Sequence, residues 1–123
     1  MHAIVLFGHG SRDPLWRQPI EAVAARITAL APDALVCCAY LELCTPDLPT
    51  AVGALVAAGA DRIRVLPMFL GVGRHAREDL PALVEVLRQQ HPQLPLEVLP
   101  AVGEHPRMLA LMAELALQPS IDA

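Results

Sequence analysis

The chain has 123 residues, of which 54% are hydrophobic, 18% charged and only 3% aromatic, and its formal net charge is −4. That length suggests one domain with a real core and little to spare. So few aromatics exclude a base-stacking platform, and the acidic balance (pI about 5.6) argues against broad electrostatic binding of nucleic acid.

The mean hydropathy of +0.44 fits strands buried on both faces and leaves room for a subunit interface; an Ala- and Leu-rich α/β core accounts for it equally well. In chain order, Ala3 to Phe7 is a continuous apolar run ended by Gly8, which predicts a buried strand. Pro14 begins a helical stretch with Asp13 as its N-cap. Ile20, Val23, Ala24, Ile27 and Leu30 mark its apolar face, and Pro32-Asp33 ends it. Ala34 to Leu41 is the second strand. Asp47 opens a second helix that runs to about residue 58, where Gly59 stops it. Arg62 to Leu66 is the third strand, followed by a loop from Pro67 to Gly73.

A third helix is expected over 77–90, with Leu80, Leu83, Val84 and Leu87 on one face, closed by His91-Pro92. Leu96 to Leu99 is the fourth strand, and Pro106 to Leu117 the last helix. The tail from Gln118 to Ala123 is expected to fray. This βαβαβαβα order predicts one three-layer α/β domain over 1–123, its core over about 3–117. A four-stranded parallel sheet would be flanked by helices.

Cys37, Cys38 and Cys44 form no C-x-x-C pair and read as buried thiols of a reducing compartment. The N-terminus lacks a basic region before its short apolar run, and no stretch is long enough to span a bilayer. The expectation is a cytoplasmic protein with neither membrane nor nucleic-acid partners.

Two histidines stand in matching surroundings: His9 in Gly8-His9-Gly10-Ser11-Arg12, and His75 in Gly71-Val72-Gly73-Arg74-His75-Ala76-Arg77-Glu78-Asp79. Each leaves the carboxyl end of a strand as the chain approaches a helix, the edge where open parallel sheets bind ligands. Two imidazoles there can hold a divalent metal or exchange protons near neutral pH. Glu42, at the end of the second strand, is the carboxylate able to complete such a site or relay protons. Arg12, Arg74 and Arg77 suit an anionic ligand, or else pair with Asp13, Glu78 or Asp79. Gly71 to Ala76 also fits the G-x-G-x-x-G/A dinucleotide pattern, but Pro67 interrupts the tight strand-to-helix turn that motif needs. His91 and His105 adjoin prolines and read as capping or surface residues.

Three segments together resemble the CbiX family of sirohydrochlorin chelatases in its short, single-domain form. They are Gly8 to Arg12; Leu41-Glu42-Leu43 with Pro46; and Pro67 to His75 running into Asp79-Leu80-Pro81. The resemblance implies a chelatase-like fold and a lyase that inserts a divalent metal into sirohydrochlorin. Cobalt is favoured, with iron or nickel as alternatives, for cobalamin or siroheme biosynthesis. It places the metal-binding histidines on His9 and His75 and an acidic catalytic position on Glu42. Ser11, Arg12, Gly73, Arg74 and Arg77 would bind substrate. It implies a homodimer and no organic cofactor beyond the metal substrate. A carrier that binds metal or tetrapyrrole without turnover would use the same residues, and a nucleotide-binding module would use Gly71 to Ala76.

Overall fold

The computed structural model describes residues 1–119. Its strands are β1 (His2–Gly8), β2 (Leu35–Tyr40), β3 (Arg62–Pro67) and β4 (Leu96–Val98), and its helices α1 (Gln18–Leu30), α2 (Leu48–Ala57), α3 (Arg74–Gln90) and α4 (Pro106–Leu117). All four strands pair in parallel in the order β2-β1-β3-β4. The register sets Phe7 beside Ala39 on one side and Pro67 on the other. The chain therefore runs outward from β1 in opposite directions. The β1/β3 junction is the topological switch point, where open parallel sheets bind ligands beyond the strands' carboxyl ends.

Strand alternation divides the core. Ala3, Val5 and Phe7 point with Ile63 and Val65 into the larger cluster, against Leu48, Val52 and Leu55 of α2 and Leu80, Val84 and Leu87 of α3. Leu6 and Tyr40 point the other way, against Ile20 of α1, with Ile4, Val23 and Ile27 packed around them. Successive side chains of a strand face opposite layers, so a sheet covered on both faces needs apolar residues at every β1 position, as Ala3 to Phe7 supplies.

The caps follow local chemistry. Asp47 Oδ1 accepts from the Thr50 N–H at 2.9 Å and starts α2, and Gly59 after that helix has φ of +103°, the left-handed conformation glycine adopts without strain. Asp13 accepts from the Leu15 N–H at 2.9 Å, but the turn it caps is a 3₁₀ turn over Pro14–Arg17, and α1 proper begins at Gln18. His105 Nδ1 accepts from the Arg107 N–H at 3.1 Å and starts α4, the capping role expected of it.

Two expectations change. Helix α3 begins at Arg74, three residues earlier than the pattern of large apolar residues indicates. Ala76 is buried one turn before Leu80, so the apolar stripe extends upstream through a residue too small to stand out. The Arg77 N–H then bonds the Gly73 carbonyl at 3.0 Å. His75 accordingly lies on the first turn of the helix rather than in the loop. Second, α4 forms where expected but buries none of its residues. Of the tail, residues 120–123 lie outside the described residues.

Candidate active site at the carboxyl edge of the sheet

Past the formal end of β1, the pairing with the β2 side continues. The Leu41 N–H donates to the Gly8 carbonyl at 2.9 Å and the Glu42 N–H to the His9 carbonyl at 3.1 Å. This zipper carries Glu42 to His9, with Oε1 3.3 Å from Nε2. Gly10 makes the approach possible. It has φ of +107°, and a Cβ there would run into the Glu42 carbonyl. The next residue of that loop, Leu43, is left-handed at φ of 68°, an uncommon conformation for a branched side chain. The His9 ring also meets the buried Phe69 edge-on, with centroids 6.3 Å apart.

On the other side of the switch point, His75 stands on the first turn of α3. Its Nδ1 is 3.7 Å from Asp79 Oδ2, one turn along, and its side chain is 93% exposed. Each histidine thus has a carboxylate near one ring nitrogen, at 3.3 Å for His9 and 3.7 Å for His75; carboxylates so placed orient metal-binding imidazoles when they close to a hydrogen bond. Asp79 becomes the partner of His75 because α3 begins at Arg74 and not at Arg77, which sets the two i, i+4 on one helix face; the i, i+4 spacing of a His and an Asp is the sequence signal for it. Among the described residues, no three of His, Cys, Asp and Glu converge closely enough to hold a metal ion.

Of the arginines, Arg74 pairs with Glu78 at 3.1 Å. Arg12 and Arg77 are exposed, and among the described residues neither is paired with a carboxylate. Ser11 Oγ accepts from the Asp13 N–H at 3.1 Å, which holds the loop after His9. A Cβ at Gly71 or Gly73 would meet nothing within 4 Å, so both glycines border open space. The dinucleotide pattern in this segment lacks its turn: β3 ends at Pro67 and Gly73 caps α3.

The cysteines are free and half-buried rather than fully buried. Burial pushes the Cys38 thiol up to about 11, with Cys37 and Glu21 adding to it, and raises the Tyr40 hydroxyl to about 12. No helix among the described residues is long and apolar enough to cross a membrane.

A parallel α/β sheet in the order 2-1-3-4, with imidazole–carboxylate couples on either side of its switch point, is the class that fold and site define. The chain belongs to the CbiX family, whose model matches residues 3–118. It is 38% identical over 84 residues to a sirohydrochlorin cobaltochelatase of Methanopyrus kandleri, covering 68% of this chain and 59% of that protein. The match spans about three fifths of the length of several such curated relatives, and 94% of a sirohydrochlorin cobaltochelatase of Methanococcoides burtonii at 25% identity. A CbiX protein of Marinobacter aquaeolei VT8 superposes with a TM-score of 0.80 at 32% identity, over 95% of each chain. The sirohydrochlorin chelatase SirB of Bacillus subtilis subspecies spizizenii, in complex with cobalt, superposes with a TM-score of 0.71 at 28% identity. That match takes in 81% of this chain and 43% of SirB.

Proposed function

We propose that this chain is a sirohydrochlorin chelatase, a single CbiX-type domain that inserts a divalent metal into the macrocycle. The observation that carries the reading is the pair of histidines on the segments that follow adjoining strands at the switch point, His9 just after β1 and His75 on the first turn of α3, each beside its own carboxylate. The similarity to proteins named for sirohydrochlorin and cobalt supports it. Cobalt is the favoured substrate metal, with iron or nickel as alternatives, in cobalamin or siroheme biosynthesis within the cytoplasm.

The chemistry follows from the residues. Sirohydrochlorin carries eight carboxylates, and the unpaired Arg12 and Arg77 guanidiniums suit them, with Arg74, Ser11 and Gly73 along the same edge. His9 and His75 hold the incoming cation through ring nitrogens. Two ring N–H protons leave as one divalent cation enters, so charge balances. Glu42, through His9 or directly, accepts one of these protons at the face where metal arrives, and solvent at this exposed edge takes the other. No external energy source enters, since four nitrogen–metal bonds replace those the cation gives up.

We assign the functional unit as a homodimer. Helix α4 supports this: Met108, Leu111, Met112 and Leu115 recur at helical spacing, yet Leu111 and Leu115 are 45% and 59% exposed. A twelve-residue helix that buries none of its residues is marginal in water, so its apolar stripe needs a cover.

The test is anaerobic mixing of the purified protein with sirohydrochlorin and Co²⁺, followed by visible absorption against a control without protein. Catalysed conversion is expected. The His75→Ala variant should lose about 100-fold or more of the insertion rate while macrocycle affinity changes little. Equal loss of both in a folded variant would overturn the ligand role. Binding without accelerated conversion would make the protein a carrier.

A further inference from the structure

The 3₁₀ turn over Pro14–Arg17 buries none of its residues. It holds Leu15 67% exposed and Trp16, the chain's one tryptophan, 40% exposed. Exposing two large apolar side chains on a rigid, Asp13-capped turn does nothing for the core, and adjacent exposed apolar groups mark places where something binds. They do not project at random. With Pro19, Ile20, Met68 and Gly8 they line an open recess of about 350 Å³.

Gly8 forms its floor. A Cβ there would lie 3.3 Å from both the Trp16 indole and the Ile20 Cδ1, so glycine at the last position of β1 lets the indole settle onto the strand end. One side of the indole rests on Tyr40, with centroids 6.1 Å apart. Met68 closes the β3 side, its N–H donating to the Phe7 carbonyl at 2.7 Å. The recess therefore opens at the same strand ends as the candidate active site. Its floor residue immediately precedes His9, and the unpaired Arg12 lies two residues before Pro14.

An apolar slot with the Arg12 guanidinium close by in the chain fits a methyl group that stands next to a carboxylate arm. Sirohydrochlorin offers that pair twice. On two neighbouring rings one carbon carries both a methyl and an acetate, and these methyls are its only hydrocarbon substituents. We propose that the Leu15–Trp16 recess receives this methylated edge, and that Trp16 and Leu15 determine specificity for methylated over unmethylated octacarboxylate macrocycles. The proposal rests on the chelatase reading. It adds an orientation: seating the methylated rings over Gly8 fixes which pyrrole nitrogens face His9. A well-formed apolar pocket discriminates by about 10- to 200-fold per missing methyl-sized group, so the preference is measurable.

The experiment compares sirohydrochlorin with uroporphyrin, which has the same eight carboxylates and no ring methyls. Affinities are measured by absorption titration for wild type, Trp16→Ala, Trp16→Phe and Leu15→Ser, and insertion kinetics with sirohydrochlorin and Co²⁺ alongside. Wild type is expected to prefer sirohydrochlorin by about 10-fold or more. In Trp16→Ala that preference should collapse and KM should rise about 10-fold, with kcat within about 2-fold. Trp16→Phe should restore most of the preference. Leu15 is so exposed that Leu15→Ser leaves folding intact, and its preference should also fall. Wild-type preference and KM in a folded Trp16→Ala or in Leu15→Ser would overturn the recess assignment and leave the chelatase reading standing. Failure of wild type to bind either macrocycle would overturn the chelatase reading itself.

Discussion

At the scale of single residues, the site's ion pairs do not serve stability. His9–Glu42 and His75–Asp79 are both solvent-exposed couples, and exposed pairs contribute at most about 1 kcal/mol. Glu42→Gln is therefore expected to leave the melting temperature within a few degrees of wild type while slowing metal insertion about 10-fold or more, since an amide cannot accept the leaving proton. Calorimetry and the insertion assay on the same sample separate the two effects. A large drop in melting temperature would assign Glu42 to the fold instead. The cysteines make a second residue-scale prediction. With its thiol raised to about 11 by burial, Cys38 holds little thiolate at pH 8, and the thiolate is the nucleophile. Its alkylation by iodoacetamide in the native protein should run about 100-fold slower than in the denatured chain, as read by mass spectrometry.

Elements are set by their ends. Asp47 caps α2, which buries Leu48, Ala51, Val52 and Leu55 against the sheet, and hydrogen bonds from the Thr50 side chain and backbone hold its carboxyl below the ordinary value. Asp47→Ala should cost about 1 kcal/mol, measured by denaturant unfolding near pH 7. A carboxyl whose folded value lies below its unfolded one stabilises above the unfolded value and loses that contribution as pH falls through the folded one. The difference between Asp47→Ala and wild type should therefore shrink toward zero in acid, below about pH 4. An undiminished difference there would mean that Asp47 acts through packing and not through its charge. The start of α3 teaches the complementary lesson. Gly73 carries no capping side chain, so the boundary is decided by Ala76 finding its place in the core.

For the whole molecule, α4 is the element out of balance. None of its residues is buried, although the helix forms over the residues where its sequence starts and stops it. The homodimer assignment makes this testable. Sedimentation at micromolar concentration should give the mass of two chains, and the Leu111→Glu, Leu115→Glu double variant should sediment as one chain with α/β circular dichroism retained. A monomeric wild type would sink the assignment. At the same scale, the strand order brings the site together. Had β3 joined the far side of β2, the loops after β1 and β3 would lie on the same edge but with β2 between them.

Local information in the chain determined much of this protein. The run from Ala3 to Phe7 reads as a buried strand, Asp47 marks a helix start through its own side chain, and the Gly-His-Gly-Ser-Arg and Gly-Arg-His segments display their chemistry as residue types at fixed spacings. These features act within a few positions of the chain, so periodicity and capping rules reveal them. Tertiary structure alone decided that β1 lies between β2 and β3, that Glu42 reaches His9 past Gly10, and that Trp16 lies over Gly8 beside Met68. Each of these joins residues far apart in sequence or depends on the close approach of two backbones. A two- or 3.6-residue period records which face a side chain takes, and carries no record of what it will meet there.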